Sequence, residues 1–356
     1  MKFGWLAILA LTAVSQSLVA ADTSYVWNLP KGFPRPRVPV DNPMSASKVE
    51  LGRHLFYDTR LSANGKSSCS TCHQQSLAFT DGRPVAVGTT GQKHPRGSMS
   101  LVNVAYSAVL TWSNPGMTRL EFQALVPMFG EHPLELGLHR DDHTSALLQA
   151  DHEYQKLFRE AFPSEAKPYS FDNVTKALAS FERSIVSVNS PYDHYHFGGD
   201  DTAVSESAKH GEVLFFSQPL SCFRCHGGFN FSDNTASAGH EVSDLEFHNN
   251  GLYKAYLPPN LGIAEFTGNP KDVGKFKAPT LRNIAVTAPY MHDGSIPSLE
   301  AVVDHYAAAG HDNPLKDQLI GGFRLSAQDK NDLINFLKSL TDDVVLHDPR
   351  FSNPWR

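Results

Sequence analysis

The sequence predicts a mainly α-helical protein with extensive loops, built from two similar halves. Segments with apolar residues at helical spacing recur along the chain. Between them lie stretches rich in Pro, Gly and charge that no regular element can span. One pattern also occurs twice. GRHLFYDTRLSANGKSSCSTCH from Gly52 and GEVLFFSQPLSCFRCH from Gly211 both run G-x-x-L-F-aromatic, then a loop with Leu-Ser, then S-C-x-x-C-H. Gly52, Leu55 and Phe56 thus correspond to Gly211, Leu214 and Phe215, and FTD at Phe79 is echoed by FSD at Phe231.

Taken in order, Lys2, the apolar run 3–14 and the small residues of SLVAAD form the three parts of a secretory signal over residues 1–21. The run is too short to span a membrane and no later stretch qualifies, so the expectation is an exported, periplasmic protein with no membrane span. LPKGFPRPRVPVDNP (29–43) cannot be a regular helix and is expected as an extended arm across the surface. It opens a first domain, 22–195, in which HTSALLQADHEYQKLFREAF and FDNVTKALASFERSIV read as helices. NSPYDHYHFGGDD (189–201) breaks the pattern and reads as a linker into a second domain, 196–356. There, Leu299, Val302, Val303 and Tyr306 share one helical face behind the N-cap candidate Ser298, and Glu300 suits the positive end of that helix. Ser326 and Asp329 have capping-box spacing ahead of a stripe of Leu333, Phe336, Leu337 and Leu340.

The formal charge of −6 over 356 residues provides no basic surface, and no nucleic-acid partner is expected. All four cysteines, Cys69, Cys72, Cys222 and Cys225, fall in two CxxC pairs, each followed at once by a histidine. Disulfide frameworks usually join distant segments, and a zinc site does not require histidine at that position twice. CxxCH is the attachment signal for c-type haem: two thioether bonds to the porphyrin and an imidazole below the iron. Two covalently bound haems follow, with His73 and His226 as iron ligands. Each half then reads as one cytochrome c-like unit.

With these motifs the chain resembles the bacterial di-haem cytochrome c peroxidase and MauG superfamily. The two haem motifs, FKAPTLRNIAVTAPYMHDGS (276–295) and the helix after it carry the resemblance. FPRPRVPVDNPMSASKVELGRHLFYDTRLSANGKSSCSTCH and PMFGEHPLELGL are most similar to its methanobactin-associated branch, MbnH. The resemblance implies a high-spin, peroxide-reactive haem in the first domain. Peroxidases of the superfamily carry a methionine ligand for the second haem seventeen residues beyond the Pro of TAPY, where MauG-like members carry tyrosine. From Pro289 that count reaches Tyr306, which the resemblance makes the axial ligand opposite His226. Met291, beside the HDG turn, is a poor substitute. A phenolate is hard and anionic, so it favours ferric and higher oxidation states, whereas a His/Met pair raises the potential.

The resemblance extends to the peroxide site. Trp112 aligns with the tryptophan between the haems, and Gln123, Pro127 and Glu135 with the distal Gln, Pro and Glu. The usual glutamate is displaced by two residues in PMFGEHPLEL, so Glu131 rivals Glu135. A carboxylate there takes a proton from peroxide and returns it to the leaving oxygen. Thr287 and Pro289 match the carbonyls that hold a calcium ion, but the assisting asparagine is replaced by Gly97, which leaves that site altered or filled by water. The relay tryptophan of MauG corresponds to Leu220, so any route to a partner differs. His94 lies in the loop that carries a removable histidine ligand in resting peroxidases, at a different spacing, and is read as a surface histidine. His292 of HDG is read as a supporting residue.

The function implied is that hydrogen peroxide oxidises both haems, which then withdraw electrons from a protein substrate. Likeness to MbnH implies oxidation of tryptophan to kynurenine in a copper-binding partner. The alternative is a di-haem cytochrome c peroxidase fed by a small cytochrome or cupredoxin, which a methionine at position 306 would favour. A pure electron carrier needs a second strong ligand on the first iron, and the Gln/Glu pattern does not supply one.

Overall fold

The computed structural model describes residues 25–139, 142–242 and 244–355, so the expected leader lies outside the described residues. The chain is mainly helical, and its β-pairing among the described residues consists of isolated bridges. None of the described helices is long and apolar enough to cross a membrane.

In the first half, α1 (Ala46–Tyr57) starts at Ser45, whose side chain accepts the Lys48 N–H. The short helices α2 (Cys69–Cys72), α3 (Leu120–Gln123) and α4 (Leu125–Phe129) follow. The run expected as one helix is two, α5 (Asp142–Ala150) and α6 (His152–Ala161). Asp151 causes the break, because its carboxylate accepts the N–H groups of Glu153 and Tyr154 and so caps a new helix. Then α7 (Phe171–Ser184) crosses α1 at Gly52, where a Cβ would stand 2.0 Å from the Ala177 carbonyl oxygen and 2.8 Å from Phe181 Cβ. Leu51, Leu55, Phe56, Leu178 and Phe181 are buried around the crossing.

The second half repeats the arrangement. The expected linker instead contains α8 (Pro191–His196), and this corrects the sequence reading. Ser190 and Asp193 form a capping box with Pro191 in the first turn, so Pro and Gly mark the ends of a helix. Asp193 pairs with Arg282 at 2.9 Å, both side chains being essentially inaccessible. Beyond it, α9 (Glu206–Phe215), α10 (Ala264–Thr267), α11 (Leu299–Ala307), α12 (Ala327–Ser339) and α13 (Asp343–His347) complete the helices. The capping box of Ser326 and Asp329 starts α12, and its four stripe residues are all buried. At the α9/α12 crossing, a Cβ on Gly211 would stand 2.0 Å from the Asp332 carbonyl oxygen and 2.8 Å from Phe336 Cβ.

A further repeat, SLVNVAYSA (100–108) and TLRNIAVTA (280–288), joins the halves. Asn103 and Asn283 both take left-handed backbone, φ 57° and 60°, and their N–H groups bond the Ile185 and Leu340 carbonyls just beyond α7 and α12. Their side chains meet at Ser187, whose N–H donates to Asn103 Oδ1 and whose Oγ accepts from Asn283 Nδ2. The Pro-rich arm is extended but not merely superficial, because Phe33 is buried against Tyr106, Phe197 and Phe229. The chain after Asp342 departs from a simple division near residue 195. Val345, Leu346 and Phe351 join the N-terminal core, and Trp355 Nε1 donates to the His54 carbonyl.

Candidate haem sites

Each CxxCH motif opens onto its own cavity. The larger, about 400 Å³, is lined by Cys222, Cys225 and His226, by Tyr306 from α11 and by Trp112. The smaller, about 70 Å³, is lined by Cys69, Cys72 and His73 together with Gln123, Pro127 and Glu135. The four thiols form no disulfide. Burial pushes the Cys69, Cys72 and Cys222 thiols above their usual range.

The two histidines are held alike. His73 Nδ1 donates to the Phe79 carbonyl at 2.8 Å, and His226 Nδ1 to the Phe231 carbonyl at 3.1 Å. Phe79 and Phe231 both have left-handed backbone, φ 60° and 50°, in the tight turn after the motif. Each bond places the proton on Nδ1 and leaves the Nε2 lone pair free for a metal. Burial lowers both imidazoles below their ordinary pKa, so they are neutral at pH 7. Paired thiols, a neutral imidazole and a cavity fit a c-type haem in each half.

In the larger cavity, the Tyr306 hydroxyl accepts the Asn250 side-chain N–H at 3.3 Å. Burial pushes its phenol up, and the Asn250 bond partly offsets that. The same N–H group of Asn250 lies 3.3 Å from Met291 Sδ. His292, expected as a supporting residue, also lines this cavity and is stacked on Phe276 at 3.8 Å. Burial drives its imidazole well below its ordinary value. Leu220, at the position of the MauG relay residue, is a buried wall residue here.

In the smaller cavity the two glutamates are placed differently. Glu135 lines the cavity and burial raises its carboxyl, whereas Glu131 is exposed at the loop tip and outside the lining. His94, expected at the surface, is half-buried in the same wall, which corrects that reading. Its loop folds back through a Val87–Lys93 bridge and is strapped to the Glu135 segment by Thr89 N–H on the Glu135 carbonyl, 2.9 Å. Its Nδ1 accepts the Arg96 N–H, so the neutral ring carries its proton on Nε2 and presents a donor rather than a lone pair.

A crevice of about 100 Å³ between the halves is lined by Thr287, Pro289, Gly97 and Asp81. Trp112 lies in the wall of both this crevice and the larger cavity, with its indole N–H on the Gly97 carbonyl at 2.9 Å. Asp81 Oδ2 is buried there without a partner among the described residues.

Sequence reasoning missed Asn250, His248 and Glu182. Asn250 and Glu182 carried no signal, since neither stands at a motif position. His248 donates from Nε2 to Asp233 at 2.6 Å and from Nδ1 to Asp317 at 2.7 Å. Burial alone would lower its pKa, but the two carboxylates outweigh that and raise it to about 12. Cys225, Asp233 and His248 are close enough together for a metal ion. With both ring nitrogens donating and Cys225 in the haem motif, that arrangement is an ion-paired imidazolium instead.

Comparison with known proteins agrees with this geometry. Residues 46–202 match the family model for di-haem cytochrome c peroxidases, and residues 275–307 match a RoxA-like, cytochrome c-like model. The chain is 34% identical to the methylamine utilization protein MauG of Methylorubrum extorquens, over 87% of this chain and 82% of that protein. It is 36% identical to a cytochrome-c peroxidase of Pseudomonas sp. (strain SCT), over 96% of this chain and 94% of that one. A crystal structure of a MauG-like protein associated with microbial copper homeostasis superposes with a TM-score of 0.90 at 45% identity, covering 93% of this chain and all of the other. The diheme peroxidase BthA of Burkholderia thailandensis shares the fold, with a TM-score of 0.65 at 18% identity. Two haem cavities on a duplicated scaffold and near full-length likeness to these enzymes lead to one conclusion: the chain belongs to the di-haem cytochrome c peroxidase and MauG family of peroxide-dependent oxidoreductases.

Proposed function

We propose that this protein is an exported, periplasmic oxidase that uses hydrogen peroxide to convert a tryptophan of a copper-binding partner protein to kynurenine. The observation that carries the reading is a phenol, Tyr306, in the wall of the cavity that holds Cys222, Cys225 and His226. The copper-binding partner rests on likeness to the MauG-like protein associated with microbial copper homeostasis.

When bound, the two haems supply redox-active iron that takes oxidising equivalents from peroxide. Cys69, Cys72, Cys222 and Cys225 would attach them, and the Nε2 atoms of His73 and His226 would ligate iron. Tyr306 supplies an anionic oxygen to the second site, where it favours oxidised iron, while the Asn250 N–H fixes that oxygen. At the first site, the Glu135 carboxylate would accept a proton from peroxide and return it to the leaving oxygen, with Gln123 as a hydrogen-bonding partner for the peroxide and Pro127 in the same wall. Trp112 provides an aromatic bridge beside both the crevice and the larger cavity. Thr287 and Pro289 offer carbonyls, and Asp81 an unpaired carboxylate oxygen, for a calcium ion in the crevice.

The test is low-temperature EPR of the purified ferric protein, before and after one equivalent of hydrogen peroxide without reductant. One high-spin and one low-spin signal, both removed by peroxide, are expected. A ferric protein that ignores peroxide until one haem is reduced overturns the reading. One observation favours the second reading, a cytochrome c peroxidase: Met291 Sδ lies beside Tyr306 in the same cavity, sharing the Asn250 N–H. Rapid turnover with a reduced small cytochrome or cupredoxin would select it.

A further inference from the structure

α7 and α12 present equivalent faces to the two cavities. Gly52 meets Ala177 and Phe181 as Gly211 meets Asp332 and Phe336, so Leu178 corresponds to Leu333 and Glu182 to Leu337. Leu178 and Glu182 line the N-terminal cavity, and Leu333 and Leu337 line the C-terminal one. A carboxyl therefore walls one haem cavity where leucine walls the other.

Glu182 is 6% exposed, and its Oε2 has no hydrogen-bonding partner among the described residues. The adjacent guanidinium does not neutralise it, because Arg183 is committed to Glu121 at 3.0 Å. A buried carboxyl without a paired cation keeps its proton, and a positive charge arriving nearby releases it.

We propose that Glu182 exchanges a proton with solvent whenever the N-terminal haem changes charge, which makes electron transfer at that haem proton-coupled. Reduction balances as one electron to ferric iron and one proton to the Glu182 carboxylate, giving ferrous iron and a carboxylic acid. Withdrawal of the electron reverses both. The proton passes through the cavity, whose wall includes the exposed Thr71 and Gln92. Among the groups facing Glu182, Arg183 on its own helix favours ionisation, whereas Glu121 of α3 opposes it. Glu135 lines the same cavity, and Cys69 is an uncharged thioether once haem is attached. Burial dominates and pushes the carboxyl up to about 8, where a change in local charge alters its protonation near neutral pH.

The proposal rests on haem attachment at Cys69 and Cys72, so a pyridine haemochrome count accompanies every measurement. The experiment is a redox titration of the holoprotein with dithionite and mediator dyes from pH 6 to 9, each haem followed by its own absorbance change. The N-terminal haem should lose electron affinity as pH rises, approaching tenfold per pH unit, or about 59 mV for one electron. The C-terminal haem, whose cavity is walled by the buried Lys277, should keep its own pH dependence unchanged in the Glu182 variants. Glu182→Gln and Glu182→Leu should both flatten the first haem, and the isosteric Gln variant serves if the Leu variant fails to fold. Glu135→Gln should leave the slope in place. A flat wild type, a slope that survives in Glu182→Gln, or one abolished by Glu135→Gln overturns the proposal. Fewer than two haems per chain would instead indict the attachment it rests on.

Discussion

In the N-terminal half, Gly52 lets α1 lie against the Ala177 carbonyl of α7, and in the C-terminal half Gly211 lets α9 lie against the Asp332 carbonyl of α12; at both, an added Cβ would stand 2.0 Å from the carbonyl oxygen. The histidine turns, the left-handed Asn103 and Asn283, and the helix stripes also match. The linings do not. The N-terminal cavity presents Glu135 and Glu182 beside Gln123 and His94, whereas the C-terminal one presents Leu281, Ile284, Val302, Leu333 and Leu337 around Tyr306, with Lys277, His248 and His292 but no carboxyl group among the described residues. One scaffold thus supports a cavity with carboxyl groups in its wall and a cavity walled mostly by apolar side chains around a phenol. Chemistry is set by wall residues that the helix crossing leaves free to vary.

The largest effect that would break this comparison is at the polar site. Glu135→Gln should slow the reaction with peroxide about 10²–10⁴-fold, while Glu131→Gln stays within about twofold of wild type in stopped-flow assays. Burial raises the Glu135 carboxyl above its ordinary 4.5, and the carboxylate is the form that accepts a proton. The rate should therefore fall as pH drops through a value above 4.5, and Glu135→Gln should lose that limb. Next, Gly52→Ala and Gly211→Ala should each cost about 3 kcal/mol in urea unfolding of the holoprotein, since backbone must move to admit a methyl group. Unequal losses would show that the two crossings are not equivalent. The smallest effect sharpens the apolar site. Asn250→Ala removes the N–H from Tyr306, costs about 1 kcal/mol of stability, and should shift the EPR signal of the C-terminal haem alone.

Much of this was legible in the residues. The two CxxCH motifs place both cavities, and the repeated G-x-x-L-F places both helix crossings, because a close approach admits only glycine. Tyr306 was reachable only through family likeness, since its helix reads as an ordinary amphipathic one. A linker at 189–201 gives way to a helix because S-P-x-D is a helix start, and the Pro and Gly there mark its ends rather than break it. Which glutamate lines the cavity depends on how the 86–94 loop packs against the 133–135 segment, which spacing does not encode. Glu182 was invisible because a charged residue at an apolar helix position signals nothing until both helices are seen to face equivalent cavities.

The return of residues 345–355 to the N-terminal half bears on the order in which the protein matures. Gln75, just past the first haem motif, bonds the Val345 carbonyl 270 residues downstream, and Tyr57 bonds the Phe351 carbonyl. During synthesis the first core therefore stays incomplete until this distant stretch has been made and delivered. The two halves are thus completed together, although the first is made earlier.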